Sequence, residues 1–262
     1  MGQSPILGKK TQITETKSLE ENLLLLENVV TCETPDDGYL AWPEHANMKL
    51  QGESRKEPLQ RMKSFTDPKH TLKIGSWNVR TMYQVGKTKQ VVNEMENYKL
   101  DILGISELRW TGFGKMKTSD NKIILYSGSE DKHESGVALI LNQNANKSLI
   151  DWEPVNERII KARFFSKYIK LSVIQVYAPT NDADEENKHL FYEILQKTLD
   201  KVPKHDMTVI IGDFNAKVGH RSSSAERSVG NEASGIRNEN GELFVTFCEM
   251  NNLLIGGSVF KH

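Results

Sequence analysis

The stretch Val209-Ile210-Ile211-Gly212-Asp213-Phe214-Asn215 joins a short apolar run to a carboxylate and an amide two residues apart. The apolar residues predict a buried strand that ends at Asp213. Because alternate residues of a strand project to the same side, Asp213 and Asn215 can address one reacting atom together. A simple turn is the competing interpretation, since Asp and Asn both favour turns. The stretch alone leaves both open.

Polar side chains also follow three other predicted strands. Asn78 follows residues 72–77, Glu107 ends residues 101–107, and Tyr177 ends residues 169–177. Each of them alone is more simply explained as a solvated loop residue. Open α/β sheets gather their ligand sites at strand ends, so the four ends together predict one functional site.

The segments between these strands predict an α/β architecture. A helix at residues 87–98 separates the first two strands, which indicates a parallel pair with a crossover helix. The middle of the chain is rich in strands, and residues 184–202 form an amphipathic helix ahead of the strand at residues 207–213. Residues 219–240 are rich in Gly, Ser and Asn and are expected to be a mobile or substrate-side loop.

Composition limits the class of protein. The chain has 262 residues, of which 37% are hydrophobic, and this is enough for a sizeable core. Its net charge of -1 excludes a globally basic nucleic-acid coat protein, so DNA contact would need a local basic patch. Cys32 and Cys248 have no metal-ligand spacing, and no signal peptide or membrane span is evident. We therefore expect an intracellular protein, nuclear or cytoplasmic, without membrane partners.

The first 70 residues differ from the rest in composition. They contain five of the eight prolines and few aromatic residues, so we expect this region to be mostly disordered. Ser18 and Glu21 form a capping-box pattern ahead of the Leu23 run, which predicts one helix near residues 18–30. Residues 71–262 are expected to form the folded domain.

Four motifs occur along that domain, at residues 76–80 (SWNVR), 104–107 (GISE), 176–180 (VYAPT) and 212–215 (GDFN). They resemble the ordered motifs of the endonuclease/exonuclease/phosphatase superfamily. Residues 77–81, residues 107–110 and residues 238–243 further resemble the apurinic-type endonuclease domain of non-LTR retrotransposons and the craniofacial development protein 2 group. The resemblance covers about residues 71–262.

This resemblance implies a fold and a site. The fold would be a two-sheet α/β sandwich with outer helices, similar to deoxyribonuclease, with the site at one end between the sheets. Glu107 would be the principal ligand of Mg²⁺, for which Mn²⁺ could substitute, and Asn78 would help bind the metal or the scissile phosphate. Asp213 would orient or deprotonate the attacking water, and Asn215 would hold the phosphate or the developing charge. Tyr177 would donate a hydrogen bond to the phosphate.

Three further residues are candidates for binding the phosphate backbone or DNA. Arg80 and Arg109 could grip phosphates, and Trp110 could stack on DNA, although it could equally be a loop anchor. Arg80 stands where the apurinic enzymes commonly have an acidic residue, so it removes one carboxylate from the expected metal shell.

The second departure from the family pattern is at the end of the chain. The terminal Ser-Asp-His motif of the superfamily is not found, so we expect a domain that is truncated at its C-terminus. Loss of part of a catalytic unit lowers rates by orders of magnitude. The implied function is a Mg²⁺-dependent, retrotransposon-derived endonuclease acting on DNA, and its activity is in doubt. The alternatives are a non-catalytic interaction protein on a retained nuclease scaffold, or a phosphatase of the same superfamily.

Overall fold

The computed structural model describes residues 23–24, 30–32 and 72–259, which form two six-stranded sheets with helices on the outside. The strands are β1 (Leu23–Leu24), β2 (Val30–Cys32), β3 (Ile74–Asn78), β4 (Ile102–Ser106), β5 (Phe113–Lys117), β6 (Ile123–Ser127), β7 (Val137–Leu141), β8 (Leu149–Asn156), β9 (Ile159–Phe164), β10 (Leu171–Tyr177), β11 (Met207–Asp213) and β12 (Leu253–Ile255). The helices are α1 (Lys87–Asn97), α2 (Gln143–Ser148), α3 (Glu185–Asp200) and α4 (Glu239–Met250), with a 3₁₀ turn at Gly256–Ser258.

Both sheets are mixed. The first has the strand order β1-β3-β4-β7-β6-β5, and the second has the order β12-β2-β11-β10-β9-β8. Each sheet contains one parallel pair, β3–β4 in the first and β10–β11 in the second. Crossover helices α1 and α3 connect these pairs, as parallel neighbours require. The predicted two-sheet α/β sandwich is therefore confirmed.

Three clusters of buried apolar residues hold the layers together. One lies between the sheets and includes Ile102 from the first sheet and Val173 from the second. Another packs Val91 and Met95 of α1 on the outer face of the first sheet. The third packs α3 and α4 on the outer face of the second sheet, around Phe244. Strands β4 and β10 are buried on both faces, which explains their almost continuous apolar sequences.

Side-chain caps fix where helices α3 and α4 begin. The Asp184 carboxylate accepts a hydrogen bond from the backbone N–H of Asn187 at the start of α3. The Asn238 side chain caps α4 in the same way, through the N–H of Gly241. Helix α4 therefore begins at Glu239, within the stretch 219–240 that was predicted as a loop, because Asn238 supplies the acceptor that its first turn needs. Among the described residues, no helix combines the length and apolarity needed to cross a bilayer.

The helix predicted near residues 18–30 is wrong at the positions that the structure describes. Leu23–Leu24 pairs antiparallel with β3, and Val30–Cys32 lies between β11 and β12. An unbroken run of apolar residues indicates burial, but it has neither the periodicity of a helix nor the alternation of a strand. The leucine run is therefore as compatible with a short strand as with a helix. The remaining residues of 1–71, including most of the region predicted to be disordered, lie outside the described residues, as do residues 260–262.

The Gly, Ser and Asn-rich stretch before α4 folds around one side chain, Arg237. Its Nε donates to the carbonyl of Val218 at 2.6 Å, and its two terminal nitrogens each donate to a Glu226 oxygen at 2.9 Å. This bidentate pair lowers the pKa of the Glu226 carboxyl to about 2, chiefly through the hydrogen bonds from Arg237. The guanidinium therefore ties the beginning and the middle of the stretch to the start of α4.

Candidate active site

Strand register brings the predicted site residues to one end of the sandwich. Tyr177 and Asp213 lie directly opposite each other at the ends of the parallel pair β10–β11. Asn78 lies opposite Ser106 at the ends of the parallel pair β3–β4, so Glu107 follows immediately beside it. The carboxyl ends of both parallel pairs therefore supply the functional groups.

One amide connects the two sheets at this site. The Asn78 Nδ2 donates to Glu107 Oε1 at 2.9 Å and to Asp213 Oδ2 at 2.8 Å, while its Oδ1 accepts the backbone N–H of Arg80 at 3.0 Å. A primary amide has two N–H donors, and both are used here. Asn78 therefore holds the two carboxylates in place, and only its carbonyl oxygen retains capacity for a ligand.

The Asp213-Phe214-Asn215 segment is a turn and also part of the site. Asp213 Oδ1 accepts the backbone N–H of Asn215 at 2.9 Å, and the Asn215 backbone has a φ of 49°. The Asn215 Nδ2 donates to the carbonyl of Ala178 at 2.9 Å. The second N–H of this amide can still donate to a bound anion. The two interpretations of the stretch are thus compatible, because the turn sets the direction of the amide.

Tyr177 is half-buried beside the carboxylates. Burial raises the pKa of its phenol, and the negative charges of Glu107 and Asp213 raise it further. The Arg158 guanidinium carbon lies 5.3 Å from the centre of the phenol ring, and its charge acts in the opposite direction. The phenol is therefore held in its protonated form and can act as a hydrogen-bond donor at neutral pH.

Sequence reasoning missed Arg158. This residue lies in the turn between β8 and β9, and its Nη1 donates to the carbonyl of Tyr177 at 3.2 Å. The backbone carbonyl of Arg158 also accepts the Tyr177 N–H at 2.9 Å. No sequence motif marks Arg158, because an arginine in a hairpin turn is common on protein surfaces.

The three predicted DNA-binding residues occupy different environments. Arg109 lies at the site, where its Nη2 pairs with Glu107 Oε2 at 3.0 Å. The Arg80 side chain is exposed next to Asn78. Trp110 is partly buried and packs edge-on against Tyr126 with a ring distance of 5.3 Å, so it anchors its loop at the edge of a core cluster. Phe113, three residues further along the chain, is exposed.

Several site residues have an unusual backbone conformation. Arg80, Glu107 and Arg109 have φ angles of 58°, 55° and 59°, in the left-handed region that non-glycine residues rarely adopt. Together with Asn215 they occupy the turns that follow β3, β4 and β11. Such conformations persist only where surrounding contacts fix them, and they are often found at functional sites.

A buried polar layer supports the site from below. Gln175 Nε2 donates to Ser106 Oγ at 2.9 Å, and the Ser106 hydroxyl donates to the carbonyl of Val176 at 3.1 Å. Ser76 Oγ donates to Gln175 Oε1 at 3.4 Å. Gly104 leaves room for this glutamine, since a Cβ there would lie 1.9 Å from Gln175 Oε1. These bonds fix the separation of the sheets directly beneath the strand ends.

The donor set is suited to one kind of metal. Within residues 72–259, no cluster of three or more His, Cys, Asp or Glu side chains is placed to hold an ion. Glu107 and Asp213, joined through Asn78, offer two carboxylates and an amide oxygen. Mg²⁺ usually binds through one or two carboxylates with water and substrate phosphates as its other ligands. The residues present therefore fit Mg²⁺.

Comparisons with known proteins agree with this architecture. The profile of the Endonuclease/Exonuclease/phosphatase family matches residues 75–253. Craniofacial development protein 2 of Bos taurus is 41% identical over 218 residues, which cover 83% of this chain and 36% of the relative. Its counterpart in Tragulus javanicus is 44% identical over 188 residues, covering 72% and 32% respectively. The chain thus spans about a third of the length of these relatives.

Solved structures show the same fold. The AP endonuclease LMAP from Leishmania major is 13% identical, with a TM-score of 0.51 over 71% of this chain and 68% of that one. At this identity the likeness concerns the fold alone. The fold, the four ordered motifs and the match over most of the described domain together show that the chain belongs to the endonuclease/exonuclease/phosphatase family.

Proposed function

We propose that this site hydrolyses phosphodiester bonds of DNA with the help of Mg²⁺, for which Mn²⁺ can substitute. The observation that carries the proposal is the Asn78 amide, which donates to both Glu107 and Asp213 and so holds two carboxylates from different sheets around one point. A bound Mg²⁺ would supply charge neutralisation for the phosphate oxygens. Glu107 and the Asn78 carbonyl would hold the ion.

The protein side chains supply the remaining chemistry. Asp213 would orient a water molecule and accept its proton, and hydrogen bonds from Asn215 and Asn78 fix the direction of its carboxylate. Tyr177 would donate its phenolic hydrogen to a phosphate oxygen, and the second N–H of Asn215 would donate to the developing negative charge. Preorganised donors of this kind provide much of the rate enhancement in enzymes.

Histidine takes no part in this set of contacts. Over residues 72–259, the ring contact made by His133 is with the Arg109 carbonyl, and no histidine hydrogen bonds to Asn78, Glu107, Tyr177 or Asp213. Among these residues, donation to the phosphate would rest on Tyr177 and Asn215.

The surface around the site favours an anionic polymer as the substrate. Arg80 and Arg109 lie on the turns that bear Asn78 and Glu107. Further along the same edge, β5 exposes Phe113 and Lys115. Arginine and lysine side chains binding phosphates provide most of the affinity for DNA, and an exposed aromatic ring can stack on bases. A DNA substrate would place the activity in the nucleus or the cytoplasm.

A nicking assay tests the proposal. Supercoiled plasmid incubated with the protein should be converted to the open circular form in Mg²⁺ or Mn²⁺ and not in EDTA. Asp213→Ala and Glu107→Gln should each reduce the rate at least about 100-fold. Asp200→Ala is the matched control, because this exposed carboxylate at the end of α3 is remote from the site and should leave the rate unchanged.

Two outcomes would replace the proposal. A protein that neither nicks DNA nor binds Mn²⁺ in a titration would be a non-catalytic scaffold. A protein that releases phosphate from a small phosphomonoester, yet leaves the plasmid intact, would be a phosphatase.

A further inference from the structure

We infer that Asn240, which lies in the first turn of α4, is a positioning residue for the proposed reaction. It holds the segment that follows Tyr177 against the segment that carries Asp213 and Asn215. The expected effect on kcat rests on the proposed function, whereas the role of Asn240 in holding the two segments rests on contacts of the described residues.

The Asn240 amide connects the two segments directly. The residue is 3% exposed, and its Nδ2 donates to the carbonyl of Pro179 at 2.9 Å and to the carbonyl of Asn215 at 3.2 Å. Its backbone N–H donates to Asn181 Oδ1 at 3.3 Å. Both side-chain donors are therefore used on main-chain oxygens of the site loops.

Neighbouring residues keep the start of α4 pressed against these loops. Asn238 Oδ1 accepts the backbone N–H groups of Lys217 and Gly241, both at 2.8 Å. Glycine is required at position 241 because the backbone lies close to Lys217, and a Cβ there would lie 2.0 Å from the Lys217 carbonyl oxygen. The buried Lys188 of α3 reaches Glu239 of α4 at 3.2 Å. The helix therefore serves as a rigid support for the amide of Asn240.

This arrangement sets the distance between the catalytic groups. Pro179 is two residues from Tyr177, and Asn215 is two residues from Asp213, so one amide fixes both loops at equivalent points. A parallel link runs from Asn215 Nδ2 to the Ala178 carbonyl. Without the amide, the Pro179 carbonyl would lose this donor and the Asn215 carbonyl would keep only the longer 3.5 Å bond from Asn238 Nδ2, so the loops could separate. Misplacement of a catalytic group by about 1 Å can lower a rate by about 100-fold.

The test compares two asparagines of the same helix. Asn240→Asp keeps the shape of the side chain and removes its donors. Asn251→Ala is the control at the other end of α4, where Asn251 Nδ2 donates to Gln196 Oε1 at 2.8 Å and to the Phe247 carbonyl at 2.9 Å. Both variants should lower the midpoint of urea unfolding. Asn240→Asp alone should lower kcat for plasmid nicking about 10- to 100-fold with little change in KM.

Hydrogen exchange separates this inference from the proposed function. In Asn240→Asp, the backbone N–H groups of residues 178, 180, 181 and 213–217 should exchange faster than in the wild type, and in Asn251→Ala they should not. If the wild-type protein does not nick DNA, the proposed function is wrong. The comparison of hydrogen exchange would still decide whether Asn240 holds the loops. Unchanged exchange in Asn240→Asp, or an equal fall in kcat in both variants, would overturn the inference.

Discussion

Replacing Asn78 with aspartate changes one side-chain group at the centre of the site. The amide nitrogen that donates to Glu107 and Asp213 becomes a carboxylate oxygen that faces them. The shape of the side chain is preserved, so the change isolates hydrogen bonding and charge. We expect a large loss of stability without metal at neutral pH.

The magnitude follows from the contacts. Two hydrogen bonds to charged groups are lost, each worth about 1.5–3 kcal/mol. Each like-charge pair at about 4 Å adds about 4 kcal/mol at an effective dielectric constant of about 20. The repulsion between the carboxylates cannot exceed the cost of protonating one of them, because a proton would otherwise bind. For a carboxyl of ordinary pKa at pH 7.5 that cost is about 5 kcal/mol. Because the protonated carboxyl can still donate one of the two bonds, we expect the free energy of unfolding to fall by about 6–8 kcal/mol at pH 7.5.

The loss should depend on pH in one direction. The introduced carboxyl has a higher pKa in the folded protein than in the unfolded chain, because two carboxylates of the folded site face it. The folded state therefore holds its proton to higher pH, and the variant loses stability as the pH rises. At pH 5 the electrostatic limit falls to about 1.4 kcal/mol, so the difference from the wild type should be much smaller there.

Urea unfolding in EDTA at pH 5 and pH 7.5 measures this effect, with fluorescence of tryptophans including the buried Trp77 as the signal. Addition of Mg²⁺ should restore part of the stability at pH 7.5, because a third carboxylate can serve as a ligand. Asn78→Ala is the control that removes the hydrogen bonds without adding a charge, and its loss should vary less with pH. An equal loss at both pH values in Asn78→Asp would refute the reasoning.

Three further substitutions test other contacts. Glu226→Gln removes the carboxylate whose pKa is lowered from 4.5 to about 2 by Arg237. The ionised carboxylate stabilises the folded protein fully above pH 4.5, and this stabilisation is lost as the pH falls towards 2. The Tm difference between the variant and the wild type should therefore shrink as the pH is lowered from 4.5 to 2. Gly104→Ala adds a methyl group 1.9 Å from Gln175 Oε1, and urea unfolding should show a loss of about 2–3 kcal/mol. Tyr177→Phe should lower kcat for nicking about 10- to 100-fold. Because the pKa of the Tyr177 phenol is raised, the wild-type rate should show no fall due to this group up to about pH 10.

The glycine and glutamate substitutions each have a matched comparison. Gly112→Ala adds a methyl group where no atom lies within 4 Å, so it should cost only the backbone strain of about 1 kcal/mol. Glu193→Gln removes an exposed ion pair on α3 and should have little effect on Tm. The packing argument is contradicted if the two glycine variants lose equal stability. The argument for Glu226 is contradicted if the Tm difference of Glu226→Gln is constant between pH 5 and pH 2.5, and the argument for Tyr177 is contradicted if kcat is unchanged in Tyr177→Phe.

Local sequence pattern was sufficient to locate the strand ends of the site. The run before Asp213 and the run before Tyr177 are apolar on both faces, and this is typical of central strands buried between helices and a second sheet. Helix α1 was predicted within one residue because its apolar side chains recur at helical spacing. Once the strands were placed, parallel pairing alone brought Asp213 beside Tyr177.

Contacts between distant segments could not be derived in this way. Asn78 and Asp213 are 135 residues apart, and their bond depends on how the sheets pack. The roles of Arg158 and Asn240 likewise arise from tertiary packing, because neither residue type is unusual for its local sequence. Strand β5 was missed because its residues are mostly exposed, so the burial pattern that reveals a strand is lacking.

The left-handed turns of the site have a consequence for how the site responds to denaturant. Among the described residues, seven non-glycine residues have positive φ, and Arg80, Glu107, Arg109 and Asn215 are four of them. Each such conformation costs about 1–2 kcal/mol, which contacts across the site must offset. The site should therefore be the first region to open under mild denaturant, while the sheets remain intact. Function would be lost at urea concentrations where tryptophan fluorescence still reports a native core.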